Sequence, residues 1–204
     1  MGKKILKTEI ASFNLEHVGV KSPQFSFTRL KGSDPVLGVE MASTGEVACL
    51  GDDFEEAFLK SLMAIGFMIP KKSILLSTGS LRNKTAFLEE TRALARMGFI
   101  FYATGGTAKF MEENNILVTT LHWPLEKKEP NALTYLEEGK IDLVINIPKN
   151  AERKELTNGY LIRRKAIDHN IPLITNLQLA RRLVKAIQSK NIEDLKIKSW
   201  EEYH

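Results

Sequence analysis

The sequence predicts an α/β protein: a Rossmann-like, doubly wound parallel sheet of about five strands, preceded by a small α+β segment. Three observations predict it. From Ser73 onward, short continuous apolar runs alternate with stretches of helical period, the mark of strands covered on both faces. Before Pro70, the segments alternate apolar with polar, as half-buried antiparallel strands do. Within the run Phe99–Lys109, an apolar strand turns on Thr104-Gly105-Gly106-Thr107 straight into a helix.

Taken in order, Val18–Phe27 alternates and is broken by Pro23, which suits an edge strand or a bulge. Val39–Leu50 alternates again, with Gly45 as a turn or bulge. Asp52 or Asp53 caps a helix whose apolar positions Phe54, Ala57, Phe58, Leu62 and Ile65 recur at helical spacing, and Gly66 ends it. Pro70-Lys71-Lys72 is the expected boundary, dividing a unit of residues 1–69 from one of residues 70–204. Beyond it come strands at 73–78, 99–103, 116–120, 141–147 and 172–175. Helices are expected at 85–97, 107–114, 131–138 and 160–169, with a last one capped by Asn176.

Composition narrows the function classes. Hydrophobic residues at 43% and charged residues at 26% belong to a globular chain able to bury a core. No apolar run approaches the roughly 20 residues of a membrane helix. The single cysteine, Cys49, forms no internal disulfide and fits a reducing, cytoplasmic setting. The net charge of +4 is spread along the chain, so a solvated surface is a better default than a nucleic-acid face. The four histidines lack metal-ligand spacing, and neither a nucleophile-elbow nor a Walker motif occurs, so no catalytic or metal residue is assigned.

Right-handed crossovers bring the C-terminal ends of parallel strands to one rim, where such sheets hold ligands. The rim gathers Ser77-Thr78-Gly79, Thr104 to Thr107, Trp123, Asn146, Pro148, Lys149, Asn150 and Thr175-Asn176, with Lys84 within reach. Hydroxyls, amides and ammonium groups dominate, the exceptions being Glu126 and Glu129 in a polar loop. This set suits an anion held by hydrogen bonds at a helix start. Singly, each residue also suits a turn or a cap with nothing bound. Of Arg163-Arg164, adjacent on a helix, at most one faces the rim.

Asp34-Pro-Val-Leu-Gly-Val-Glu-Met-Ala-Ser-Thr-Gly-Glu46 resembles a signature of the carbamoyl-phosphate synthase large chain, at the end of its second ATP-grasp unit. From about Lys71, Thr104-Gly-Gly-Thr107, Asn146-Ile-Pro148 and Tyr160-Leu-Ile-Arg-Arg-Lys-Ala166 resemble the same family's C-terminal regulatory domain, of methylglyoxal-synthase-like fold. The resemblance implies an allosteric domain that binds an anionic effector, a nucleotide monophosphate or N-acetylglutamate, for arginine or pyrimidine biosynthesis. It places effector contacts on Lys84, Thr104, Gly105, Gly106, Thr107, Trp123, Asn146, Lys149, Asn150 and Asn158. Lys149 stands where the acetylglutamate-regulated branch has Asn, with Asn150 adjacent. Ser22 stands where ornithine-responsive enzymes have Glu, which counts against ornithine activation.

The ATP-grasp metal-ligand segment is not found before Phe25, so this stretch is expected to be non-catalytic. ATP, Mg2+ and K+ belong to the complete enzyme, and no cofactor is expected in this portion. Implied partners are the remainder of the synthase chain, its glutaminase small subunit and further copies of this domain; nucleic acid and membrane are not implied. The alternative is a methylglyoxal synthase-like lyase acting on dihydroxyacetone phosphate. Against it, the loop Leu125–Asn131 lacks the Asp that such chemistry requires as a base.

Overall fold

The computed structural model describes residues 15–36, 43–148 and 153–203. The main sheet holds β3 (Ser73–Ser77), β4 (Ile100–Thr104), β5 (Thr119–Leu121), β6 (Leu143–Asn146) and β7 (Leu173–Ile174), all parallel, in the order β5-β4-β3-β6-β7. A separate antiparallel pair, β1 (Val18–Gln24) with β2 (Gly45–Gly51), lies ahead of it. The expected fold class is the observed one. Among the described residues, no helix is long and apolar enough to cross a membrane.

Every residue of β3 is buried, so the strand needs cover on both faces. Ile74 and Leu76 enter one apolar layer with α1 (Phe54–Ala64), α3 (Leu88–Arg96), α4 (Gly105–Glu113) and α7 (Leu177–Ser189). Leu75 points the other way, toward α5 (Ala132–Glu137) and α6 (Arg153–Asp168). Period-two alternation within one apolar strand thus feeds two cores. The first core crosses Pro70: Phe58, Leu59 and Leu62 of α1 join it, and α1 packs on α7. Helix α1 springs directly from β2 because Gly51 leaves room; a Cβ there would lie 2.5 Å from the Ala57 nitrogen. Asp53 is the N-cap, accepting from the Glu56 N–H at 2.9 Å.

Several expected boundaries move. The helix expected at 85–97 begins four residues earlier, after a Ser80 cap, as α2 (Leu81–Ala86), and it breaks at Phe87 before α3. Phe87 is buried, and its carbonyl accepts from the Thr91 hydroxyl at 2.8 Å. The helix expected from Thr107 starts at Gly105, with Thr104 as its N-cap. Ile116 is not strand: Asn115 takes a left-handed φ of 59° and Ile116 N–H closes α4 on Met111, so β5 starts only at Thr119. Helix α6 starts at Arg153 rather than Tyr160; its first two turns are polar and show no apolar stripe. The first expected strand stops at Gln24, after which Phe27–Arg29 is a 3-10 turn. The second starts at Gly45, and the expected portion at 39–42 lies outside the described residues.

The chain's last segment straps back onto the β2–α1 corner. Lys196 donates to Asp52 at 2.9 Å, Lys198 donates to its other oxygen, and Lys190 pairs with Asp53 at 2.6 Å. The Tyr203 hydroxyl donates to the Leu50 carbonyl at 3.1 Å.

Two outcomes follow from this packing. Leu59→Ala should cost about 2–5 kcal/mol in denaturant unfolding. Because the core is shared, it should lower one common transition, whereas a separate early transition would show that α1 folds apart from the sheet. The Lys198 and Lys196 hydrogen bonds hold the Asp52 carboxyl at about 2, below its ordinary 3.8. A carboxyl depressed in the folded state stabilises fully above its unfolded value and loses that effect as pH falls through the folded one. Asp52→Asn should therefore melt lower than the parent at neutral pH, with the gap closing between about pH 4 and pH 2. A gap independent of pH would remove the ion pairs from the account.

Candidate functional site

Register sets the site. Ser77 of β3 lies opposite Asn146 of β6, and Thr104 of β4 lies opposite Leu121 of β5. The Thr104 hydroxyl donates to the Ser77 hydroxyl at 3.3 Å. Three strands thus end level with small polar side chains, all buried. The chain leaves β3 for β4 and β5 on one side and returns to β6 on the other. The crevice opens where the strand order reverses.

A cleft of about 180 Å³ lies there. Its floor is Ser77, Thr104 and Asn146; its walls include Gly79, Lys84, Gly106, Thr107, Trp123, Pro148, Gly159 and Arg163. The predicted residues Lys84, Thr104, Gly106, Thr107, Trp123 and Asn146 are therefore brought together. Gly105 opens α4 beside them without lining the cleft, and Asn158 is buried with its Oδ1 accepting from the Leu125 N–H at 3.0 Å. Asn158 thus fixes the loop that carries Trp123. Lys149 and Asn150 lie outside the described residues.

The described lining of the cleft carries two cations, Lys84 and Arg163. An N-cap threonine ordinarily folds its hydroxyl onto an N–H of the first turn. Thr104 makes no such bond, since its hydroxyl is turned to Ser77. Thr107 also looks outward from α4, accepting from the Thr78 N–H at 3.2 Å. The start of α4 thus meets the cleft with its backbone donors and the positive end of its dipole. The Lys84 ammonium sits at that same end, donating to the Gly106 carbonyl at 2.7 Å. An anion placed between the ammonium and the start of α4 would be attracted by both. The two carboxylates of the polar loop do not oppose this. Glu126 accepts from His122 at 2.9 Å, which draws its carboxyl below the ordinary range, and Glu129 accepts from the Asn131 N–H at 2.7 Å. No Asp or Glu lines the cleft among the described residues.

Arg163 gives the site a second cation. Its side chain is only 3% exposed. Nη1 donates to Asn146 Oδ1 at 2.8 Å, while Nε and Nη2 grip both oxygens of Asp34 at 2.8 and 2.5 Å. Arginine has no acceptor, so Asn146 must turn its oxygen to Arg163 and its NH2 away from it. Gly159 makes this reach possible: a Cβ there would lie 2.8 Å from Arg163 Nη1. Of the neighbouring arginines, Arg163 faces the rim. Arg164 turns to the Phe27, Leu30 and Ser33 carbonyls at 3.1, 3.2 and 3.3 Å and to Asp168 at 2.6 Å. Sequence reasoning missed Gly159, which sits in a polar stretch, and Asp34, whose partner is 129 residues away. The arginine pair was the one available signal.

Residues 86–175 match the family model of the MGS-like domain. The chain is similar to multifunctional protein pyr1-3 of Dictyostelium discoideum, 48% identical over 178 residues, covering 85% of this chain and 8% of that protein. It is similar to multifunctional protein URA2 of Saccharomyces cerevisiae, 45% identical over 201 residues, 94% of this chain and 9% of that protein. It is also 39% identical over 185 residues to human mitochondrial carbamoyl-phosphate synthase [ammonia], 89% of this chain and 12% of that protein. The chain therefore spans about a tenth of the length of these relatives.

Replacing a mid-helix glycine by alanine ordinarily stabilises by about 1 kcal/mol. Gly159→Ala should instead lower stability by about 1–3 kcal/mol, the cost of crowding a filled interior, because Arg163 is pinned at both ends. Chemical denaturation measures this, and a gain in stability would mean that Arg163 does not bridge to Asn146.

Proposed function

Because the chain belongs to the MGS-like domain family, in the form carried by carbamoyl-phosphate synthase polypeptides, we propose that it is the synthase's allosteric effector-binding region. In this reading residues 70–204 bind an anionic effector at the sheet rim. Residues 1–69 are the end of the ATP-grasp unit, joined to the remainder of the synthase chain and, through it, to the glutaminase subunit. The observation that carries the reading is the meeting of the Lys84 ammonium, the start of α4 and the Asn146 amide in one cleft without a carboxylate among its described lining. Lys84 and the first turn of α4 hold the phosphate or carboxylate, Asn146 orients it, and Trp123 covers the less polar part of the effector. By the family resemblance Lys149 and Asn150 are further effector contacts, and Asn158 supports the loop that carries Trp123.

Regulation requires that the effector bind one state of the whole enzyme more tightly than another. The region's output follows from that difference. The candidates are nucleotide monophosphates and N-acetylglutamate, the two effector classes that the family resemblance implies.

Calorimetric titration with IMP, UMP and N-acetylglutamate tests the reading, and at least one should bind to the isolated chain. Lys84→Ala combined with Thr104→Ala should weaken that binding about tenfold or more, since hydrogen bonds to charged groups contribute roughly 1.5–3 kcal/mol. Unchanged affinity in the double variant would move the site elsewhere.

A further inference from the structure

We propose that an anion in the cleft and the Asp34 carboxylate compete for the Arg163 guanidinium, so that filling the cleft loosens the segment Phe27–Asp34 from helix α6. The proposal rests on the anion-binding reading of the cleft and adds a route out of it.

Arg163 is shared between two places. Its Nη1 edge belongs to the cleft wall and bonds Asn146; its opposite edge holds Asp34 in a two-pronged pair. A guanidinium this buried needs a negative partner, and Asp34 supplies it. An anion entering the cleft becomes a second negative group on the same cation. Two anions on one partly desolvated guanidinium repel, and each weakens the hold of the other. Asp34 is the member free to yield, because its side chain is 42% exposed while Asn146 is fixed within β6.

The segment that Asp34 anchors is built to let go. None of the residues from Phe27 to Asp34 is buried. Beyond the Asp34 pair, hydrogen bonds tie it to α6: the Tyr160 hydroxyl donates to the Gly32 carbonyl at 2.9 Å, and Arg164 donates to three carbonyls. Contacts of this kind belong to the easily opened end of a structure. The segment leads from β1 toward β2, the pair that packs on α1. A change at the rim is thereby felt on the N-terminal side of the chain. The coupling is reciprocal: a docked Asp34 weakens the anion, and the anion undocks Asp34.

The test uses the full chain with inorganic phosphate as probe. Amide hydrogen exchange should become about threefold or more faster across Phe27–Asp34 at saturating phosphate, while β3, β4 and β6 do not accelerate. In calorimetry, Asp34→Asn should bind phosphate about fivefold or more tightly than the parent. Asp168→Asn, which removes the carboxylate on Arg164 instead, should leave that affinity unchanged. Phosphate binding with unaltered or slower exchange in Phe27–Asp34 overturns the competition and leaves the cleft reading intact. If parent and Asp34→Asn both fail to bind phosphate, the cleft reading falls and the competition falls with it. The exchange measurement needs no variant, so a misfolded Asp34→Asn does not spare the proposal.

Discussion

The constraint on which the rest depends is the burial of β3 at every position. A strand with no solvent face forces helices onto both sides of the sheet. Its neighbours must then be reached by crossovers that depart on opposite faces. The strand order follows, with β4 and β5 on one flank and β6 and β7 on the other. Where the two flanks part, backbone and side chains cannot fill the space at the strand ends. The cleft is a consequence of topology before any residue in it is chosen. What the sequence adds is chemistry suited to the opening: small hydroxyl and amide side chains at the last position of each of β3, β4 and β6.

This division explains what could be read from the chain. Continuous apolar runs named the strands β3, β4 and β6, because burial on both faces leaves no other pattern. Glycines and hydroxyls after β4 named the anion-suited turn, because that signal is local in sequence. Boundaries shifted where a local competitor was strong: the Ser80 cap captured residues assigned to a loop, and the left-handed Asn115 drew Ile116 out of its strand. Helix α6 was half hidden because its first turns are polar, and Gly159 was hidden with them. Asp34 stood in the sequence only as the start of a signature, and its pairing with Arg163 could not be seen. Its role comes from a contact spanning most of the chain, and no periodicity or spacing encodes such a pairing.

Charge is distributed with a consistent logic. At the β2–α1 corner, exposed carboxylates meet the lysines of the terminal strap, and each partner holds the other in its charged form. Asp52 and Asp53 are drawn down while Lys190 and Lys198 are drawn up. Such pairs are screened and modest, and they fasten surface segments. At the rim the pattern differs. Lys84 stands at the start of α4 and donates to the Gly106 carbonyl. The carboxylates of the loop after Trp123, Glu126 and Glu129, are tied into that loop.

The adjacent arginines show how one helix serves two tasks. Successive residues on α6 diverge by about 100°, so Arg163 and Arg164 cannot do the same work. Arg164 gathers backbone carbonyls, a contact that tolerates many sequences in the segment it holds. Arg163 demands a carboxylate, and among the described residues Asp34 supplies it at its outer edge. A neutral amide at the cleft and an acid on the segment thus sit at opposite edges of one planar cation. Any negative ligand that meets the inner edge changes the electrostatic surroundings of the outer edge, without a relay of intermediate side chains and without movement of the sheet. One guanidinium thus joins the rim to the N-terminal segment through its two edges.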